Sequence, residues 1–258
     1  MATHSRLYWA FSDSLTMIAR SLRHITRNFE LLFLTVVLPV FLLLLFVYVF
    51  GGVIDVGSAY VDYVVPGLIL MCAGYGASMT TVTVAHDMVN GIVERFRSLP
   101  IVSSAMLTGH VVASLVRNMI SVTLVVAVAL LIGFGPTAGP LGWLAALGMI
   151  ALYILAISWA AVALGLIAKT VEGANGFSFF ILFIPYLSSA FVPAESLPSW
   201  LRPIAENQPI TPTVEAVRGF LMGTPLGNSV WLSFAWCGGI LLISVIGGTY
   251  LFKRRTSR

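Results

Sequence analysis

The sequence predicts an all-α, polytopic membrane protein. It has six transmembrane helices, an N-terminal amphipathic interfacial helix, and an external helical hairpin, re-entrant or interfacial, between spans 5 and 6. Two observations predict this fold. The first is composition: of 258 residues, 59% are hydrophobic and 9% charged, against about 25% charged in a soluble domain. So little charge cannot cover a water-facing surface, whereas lipid can face the apolar excess. The second is the set of long apolar stretches, at 31–54, 64–85, 108–134, 141–168, 174–192 and 228–252. Each approaches the ~20 apolar residues a helix needs to cross a ~30 Å bilayer core. They are continuous, without the alternation of a barrel strand, and lipid satisfies no open backbone groups, so each is read as a helix.

Lys and Arg orient these spans. Arg6, Arg20, Arg23 and Arg27 precede span 1, Arg95 and Arg97 follow span 2, Lys169 follows span 4, and Lys253, Arg254, Arg255 and Arg258 form a basic tail at 253–258. With six spans these eleven residues share one side, against Arg202 and Arg218 on the other. The expectation is a multi-pass protein of the plasma membrane with both termini cytoplasmic. Residues 1–30 are polar-rich and the first apolar run is too long for a signal-peptide core, so no cleavable signal is expected.

Outside the spans, the chain is read in order. Leu7, Phe11, Leu15, Ile18, Leu22, Ile25 and Phe29 recur at spacings of three and four, and Arg20, Arg23 and Arg27 fall on the opposite face. This is the pattern of a helix lying on a membrane surface with its basic face toward anionic headgroups. It suits a plain anchor and a helix connecting a cytoplasmic partner to span 1 equally. The loop after span 2 concentrates charge around Glu94, Arg95 and Arg97, and Pro100 ends any helix there near Ser98. Residues 86–99 are thus read as a short cytoplasmic helix, either an ordinary positive-inside loop or an element through which mechanical work enters. Residues 193–223 split into two short helices: Ser196 fits a cap for the first, with Trp200, Leu201 and Ile204 on one side. In the second, Thr211 fits the N-cap, Pro212 the first helical position and Gly223 the C-terminal stop. This hairpin is either a structural lid or part of an exit.

Several chemistries are missing. The sequence has no GxxxxGK[ST] loop, HExxH or GxSxG. No catalytic residue, metal site, cofactor or nucleic-acid contact is expected. Cys72 and Cys237 sit in apolar stretches and read as inert small hydrophobes. No acidic residue falls in the middle of a span, which argues against an ion-coupled secondary transporter, the rival reading. Arg117 and His110 are the ionisable residues inside span 3. Arg117 is read as snorkelling to the cytoplasmic interface, or as buried if the span begins near Ala105. Together with Asn118 it is a candidate for a polar interhelix contact, ahead of a place on a pathway.

Two segments carry a family resemblance. GIVERFRSLPI, Gly91 to Ile101, resembles the cytoplasmic motif of type-2 ABC transporter permeases, particularly the daunorubicin/doxorubicin-resistance kind of drug exporter subunit. Gly91, Glu94, Arg95, Leu99 and Pro100 carry the match. Phe191 to Gly223 is similar to the same family's external signature, through Pro193, Pro198, Trp200, Asn207, Pro209 and Arg218-Gly219. The resemblance covers nearly the whole chain. It implies a transmembrane domain over 31–252 preceded by a connecting helix over 1–30, two permease chains paired as a homodimer or with a paralogue, and two cytoplasmic ABC ATPase subunits that hold ATP and Mg. Residues 86–99 become the coupling helix, with Glu94, Arg95 and Arg97 as charged contacts and Phe96 and Leu99 as packing ones. Trp200, Asn207, Pro209 and Arg218 become the external gate. The implied activity is ATP-driven export of a hydrophobic or amphipathic molecule, drug efflux first and a lipid or cell-envelope precursor second.

Overall fold

In a computed structural model of the chain, described over residues 29–54, 56–90 and 103–256, every regular element is helical. α1 spans Phe29–Leu45 and continues as a π-helical turn, Phe46–Phe50. α2 (Tyr60–Val89), α3 (Ser103–Leu131) and α4 (Pro140–Ile167) follow. α5 (Val171–Phe183) runs into a 3-10 turn, Ile184–Leu187. After a second 3-10 turn, Ala194–Ser196, come the short α6 (Arg202–Asn207), α7 (Ile210–Met222) and the long α8 (Ser229–Thr256).

Four of these helices are long and apolar enough to cross a membrane: Tyr60–Val89, Met106–Leu131, Pro140–Ile167 and Ser229–Arg255. Two shorter apolar helices, Val36–Phe50 and Val171–Leu187, stand where spans 1 and 5 were expected. The expected bounds shift for local reasons. α5 starts at Val171, because Thr170 caps it by accepting from the Gly173 N–H at 3.0 Å. Its regular part ends early, before Pro185 in the 3-10 turn. Pro140 sits at the start of α4, where its missing N–H costs nothing. Within the expected basic tail, Lys253, Arg254 and Arg255 continue α8, and Arg255 donates to the Ile167 carbonyl at 3.3 Å. Likewise 86–89 is the last turn of α2, not a separate helix. The remainder of the expected coupling helix and the N-terminal amphipathic helix lie outside the described residues.

α2 is the axis of the bundle. It packs against α1, α3, α4, α5 and α7, and nearly its whole length is buried. Close approach is achieved with small residues. Gly165 of α4 lies on the Thr81 carbonyl and Val84, and Gly67 lies on the backbone of Ala190. The main core joins Leu68, Ile69 and Leu70 to Ile154 of α4 and to Val214, Val217 and Leu221 of α7.

The alternating helix directions give the bundle two ends. At one, the end of α2, the start of α3 and the ends of α4 and α8 meet around Val84, Met106, Leu107, Leu166 and Phe252. At the other, Gly135 N–H donates to Asp62 at 2.8 Å and Ala138 N–H to the Leu221 carbonyl at 3.1 Å. The hairpin lies at this second end. α7 is seated between α2, α4 and α8, with Ile210, Val214, Val217 and Leu221 buried.

Its termini also differ from expectation. α7 begins at Ile210 with Pro209 as N-cap, so Thr211 is not the cap. The Thr211 hydroxyl donates to the Ala205 carbonyl at 2.5 Å and accepts from Ser189 N–H at 3.2 Å. Gly223 does end the helix, in the left-handed region at φ 69°. Ser196 closes a 3-10 turn instead of capping a helix, and α6 starts only at Arg202.

Candidate functional site

Polar side chains in this chain gather at three levels. The first is the end of the bundle where α2 leaves toward the 91–102 segment. Asp87, in the last turn of α2, is buried, and Nε2 of His110 on α3 lies 3.3 Å from its carboxylate. Asn90 ends α2 with its side-chain amide 2.9 Å from a ring nitrogen of His86. These contacts fix the root from which the charged stretch departs. Sequence reasoning placed His110 inside span 3 with Arg117 and did not pair it with Asp87. Gly91, Glu94, Arg95, Phe96, Arg97, Leu99 and Pro100 follow directly in the chain but lie outside the described residues, as do Arg20, Arg23 and Arg27.

The second level is mid-bundle. α3 runs from Ser103 to Leu131, so Arg117 sits at its middle. Its guanidinium does not extend to an interface as the snorkelling reading expected. It donates to the Gly76 carbonyl at 2.9 Å and to Thr80 Oγ1 at 2.9 Å on α2. Desolvation explains this choice: a backbone carbonyl and a hydroxyl are the acceptors in reach at that depth. Asn118 is fully buried beside it, donating to Ser114 at 3.2 Å, and Ser158 of α4 donates to the same hydroxyl at 2.9 Å. Three helices thus share one polar strand. Asn118 fits because Gly76 has no side chain; a Cβ there would collide with the Asn118 carboxamide. Gly76→Val is therefore expected to cost about 1–3 kcal/mol as an overpacked core does, read as a lower melting temperature of the purified protein.

The third level is the hairpin end. Arg218 of α7 is buried under the carbonyls of Tyr63 and Ser189. Its Nε and one terminal nitrogen donate to Tyr63 O at 3.2 and 3.0 Å, and the same terminal nitrogen donates to Ser189 O at 3.1 Å. The other terminal nitrogen meets Glu215 at 2.8 Å, and Ser189 Oγ donates to the same carboxylate at 2.7 Å. The guanidinium also lies 3.8 Å over the Tyr63 ring. Tyr63 and Tyr60 complete the set, donating to the carbonyls of Ser189 and Phe191 at 2.9 and 3.0 Å.

Arg218 therefore stands apart from the other three residues singled out at this end. Trp200 is 72% exposed, Asn207 bonds locally to Pro203 O at 2.8 Å, and Pro209 accepts from Thr213 at 2.8 Å. Nothing local in the sequence marks Tyr63, Ser189 and Glu215 as partners of Arg218, and the first lies 155 residues away in the chain. On the exposed α6, Arg202 donates to Glu206 at 2.7 Å, and that hydrogen bond raises the guanidinium pKa. Among the described residues no three His, Cys, Asp or Glu side chains come together as a metal site would need.

A sequence profile of the ABC-2 type transporter family matches residues 13–222. The chain belongs to this family. Its relatives agree with that placement. It is 28% identical over 252 residues to a daunorubicin resistance ABC transporter permease protein of Streptomyces coeruleorubidus, covering 94% of this chain and 86% of that one. It is 21% identical over 255 residues to a probable doxorubicin resistance ABC transporter permease protein of Mycobacterium tuberculosis, covering 98% and 92%. An ABC transporter G family member of Dictyostelium discoideum is 23% identical over 202 residues, which are 73% of this chain but 27% of that longer protein. The match of this ABC-2 permease to the two resistance permeases runs through all three polar levels.

Proposed function

We propose that this chain is the membrane half of an ATP-driven exporter of a hydrophobic or amphipathic molecule, with drug efflux as its task. In this reading six helices span the plasma membrane, α1 and α5 completing the four long ones, and both termini are cytoplasmic. Two permease chains pair, and two separate ABC ATPase subunits, holding ATP and Mg, dock on the stretch 91–100. The observation that carries the reading is the near full-length likeness to two permeases named for resistance to anthracycline drugs. The 258 residues contain no phosphate-binding glycine loop, which supports a nucleotide-hydrolysing partner.

Charge placement supports the orientation. Lys169, Lys253, Arg254 and Arg255 gather at the end of the bundle where α2 exits. Asp62, Glu195, Glu206 and Glu215 gather at the hairpin end. The positive-inside rule puts the basic end in the cytoplasm. The hairpin then faces outward, and Arg218 holds α7 under the exit.

Affinity capture of the tagged permease from membranes is expected to bring down a soluble ABC ATPase. Inside-out vesicles carrying both are expected to take up a fluorescent anthracycline only with hydrolysable ATP. Uptake by vesicles that hold the permease without any ATPase would defeat the reading.

A further inference from the structure

Three polar atoms at the mid-bundle level have no partner in the chain. Nε of Arg117, Oδ1 of Asn118 and Oγ of Ser121 are buried, and none has a hydrogen-bond partner among the described residues. All three belong to α3. Ser121 lies four residues after Arg117 and three after Asn118, so the three side chains are neighbours on the surface of that helix. Arg117 and Asn118 both turn toward α2. One terminal nitrogen of Arg117 holds Gly76 O and Thr80 Oγ1, and the Asn118 carboxamide lies against Gly76. Asn118 and Ser121 are fully buried.

The neighbouring helices do not meet this need. α1 packs on both α2 and α3, and over 36–45 it brings only apolar side chains. Ser158 of α4 donates to Ser114, as does the amide of Asn118 itself. No carboxylate among the described residues forms an ion pair with Arg117. Three dry polar atoms at one spot are costly, and a guanidinium charge at this depth needs partners or water. The chemistry of the three atoms selects the ligand. Nε–H only donates, a carboxamide oxygen only accepts, and a hydroxyl does either. A cation would meet the guanidinium charge, and an anion would meet the carboxamide oxygen. Water both donates and accepts, and a buried water makes about three hydrogen bonds.

We infer that the seam between α2 and α3 is a binding site for buried water, which accepts from Arg117 Nε and donates to Asn118 Oδ1 and Ser121 Oγ. The water solvates a charge held at mid-membrane by a carbonyl and a hydroxyl alone. Through Asn118 and Ser114 it joins the hydrogen-bonded set that reaches Ser158 of α4. The site is internal to the permease and does not depend on what the chain exports.

The test uses the full-length permease in nanodiscs. A density map that resolves ordered water is expected to show a peak within about 3.2 Å of both Arg117 Nε and Asn118 Oδ1. A map of that quality with no peak there overturns the inference and needs no variant. Ser121→Ala gives a second readout, because a wet and a dry hydroxyl respond with opposite signs. Removing a hydroxyl that water bridges is expected to lower the melting temperature by about 2–4 °C. Removing a dry, unpartnered hydroxyl relieves a penalty instead, so an unchanged or raised melting temperature overturns the inference. Exchange of sodium chloride for sodium gluconate at equal ionic strength is expected to leave the melting curve in place. A fall on removal of chloride that disappears in Arg117→Gln would assign the site to an anion and overturn the claim for water.

Discussion

Arg218→Met is expected to lower the melting temperature of the purified permease more than any other single change at the hairpin end. The substitution keeps the apolar stem of the side chain and removes its donors. Two backbone carbonyls, of Tyr63 and Ser189, then lose their guanidinium, and Glu215 loses its counter-charge. Removing one partner of a buried pair costs about 3–5 kcal/mol. Glu215 is 39% exposed, so water recovers part of this, and about 2–3 kcal/mol remains, or roughly 5–10 °C. Glu215→Gln is expected to cost less, because its amide still accepts from Arg218 and Ser189. Tyr63→Phe removes one hydrogen bond, of about 1 kcal/mol, and leaves the ring under the guanidinium. The order Arg218→Met, then Glu215→Gln, then Tyr63→Phe is the test. An unshifted melting curve for Arg218→Met would mean that α7 is held by apolar packing alone. On the export reading the same variant also raises ATP-independent leak of the anthracycline probe, since α7 sits under the exit.

How much of this could be read from sequence follows from the range of the forces involved. Lipid immersion acts on every residue of a span, so the composition and the long apolar runs exposed the helices, and Gly223 marked the end of α7 by a purely local preference. Bounds were lost where a tertiary contact or a cap decided them. Thr170 sets the start of α5 by a cap, whereas Lys253 to Arg255, read as a tail, remain helical where Arg255 reaches the end of α4. Pairings between distant residues left no local trace. Arg218 stood out in sequence as part of a motif, but its partners Tyr63 and Ser189 come from α2 and from the turn after α5. Arg117 shows the same limit at mid-bundle. Its position within the apolar run was plain, but the hydrogen bonds that turn it toward Gly76 and Thr80 depend on how α2 and α3 face each other, which periodicity alone did not fix. Thr211 misled because a local cap and a long-range bond compete for one hydroxyl, and the bonds to Ala205 and Ser189 won.

Replacing Glu94 and Arg95 together by alanine is expected to abolish ATP-driven flux while leaving insertion and melting unchanged. The stretch that carries them leaves α2 at Asn90 and re-enters at Ser103 of α3. The Asp87–His110 contact clamps those two helices at that point. A push on the stretch is therefore delivered to the axis of the bundle, since α2 touches five other helices. On the export reading the push comes from the docked ATPase through Glu94, Arg95 and Arg97. Hydrogen bonds to charged groups contribute about 1.5–3 kcal/mol each, so losing two weakens docking by roughly a hundredfold or more. The ATPase is then expected to continue at its basal rate while vesicle uptake falls to background. Asp87→Asn separates the two halves of the argument, because it loosens the root without touching the docking charges: capture of the ATPase survives, and only its coupling to flux is reduced. Wild-type flux from the Glu94/Arg95 double variant would show that force enters this bundle somewhere other than the stretch between α2 and α3.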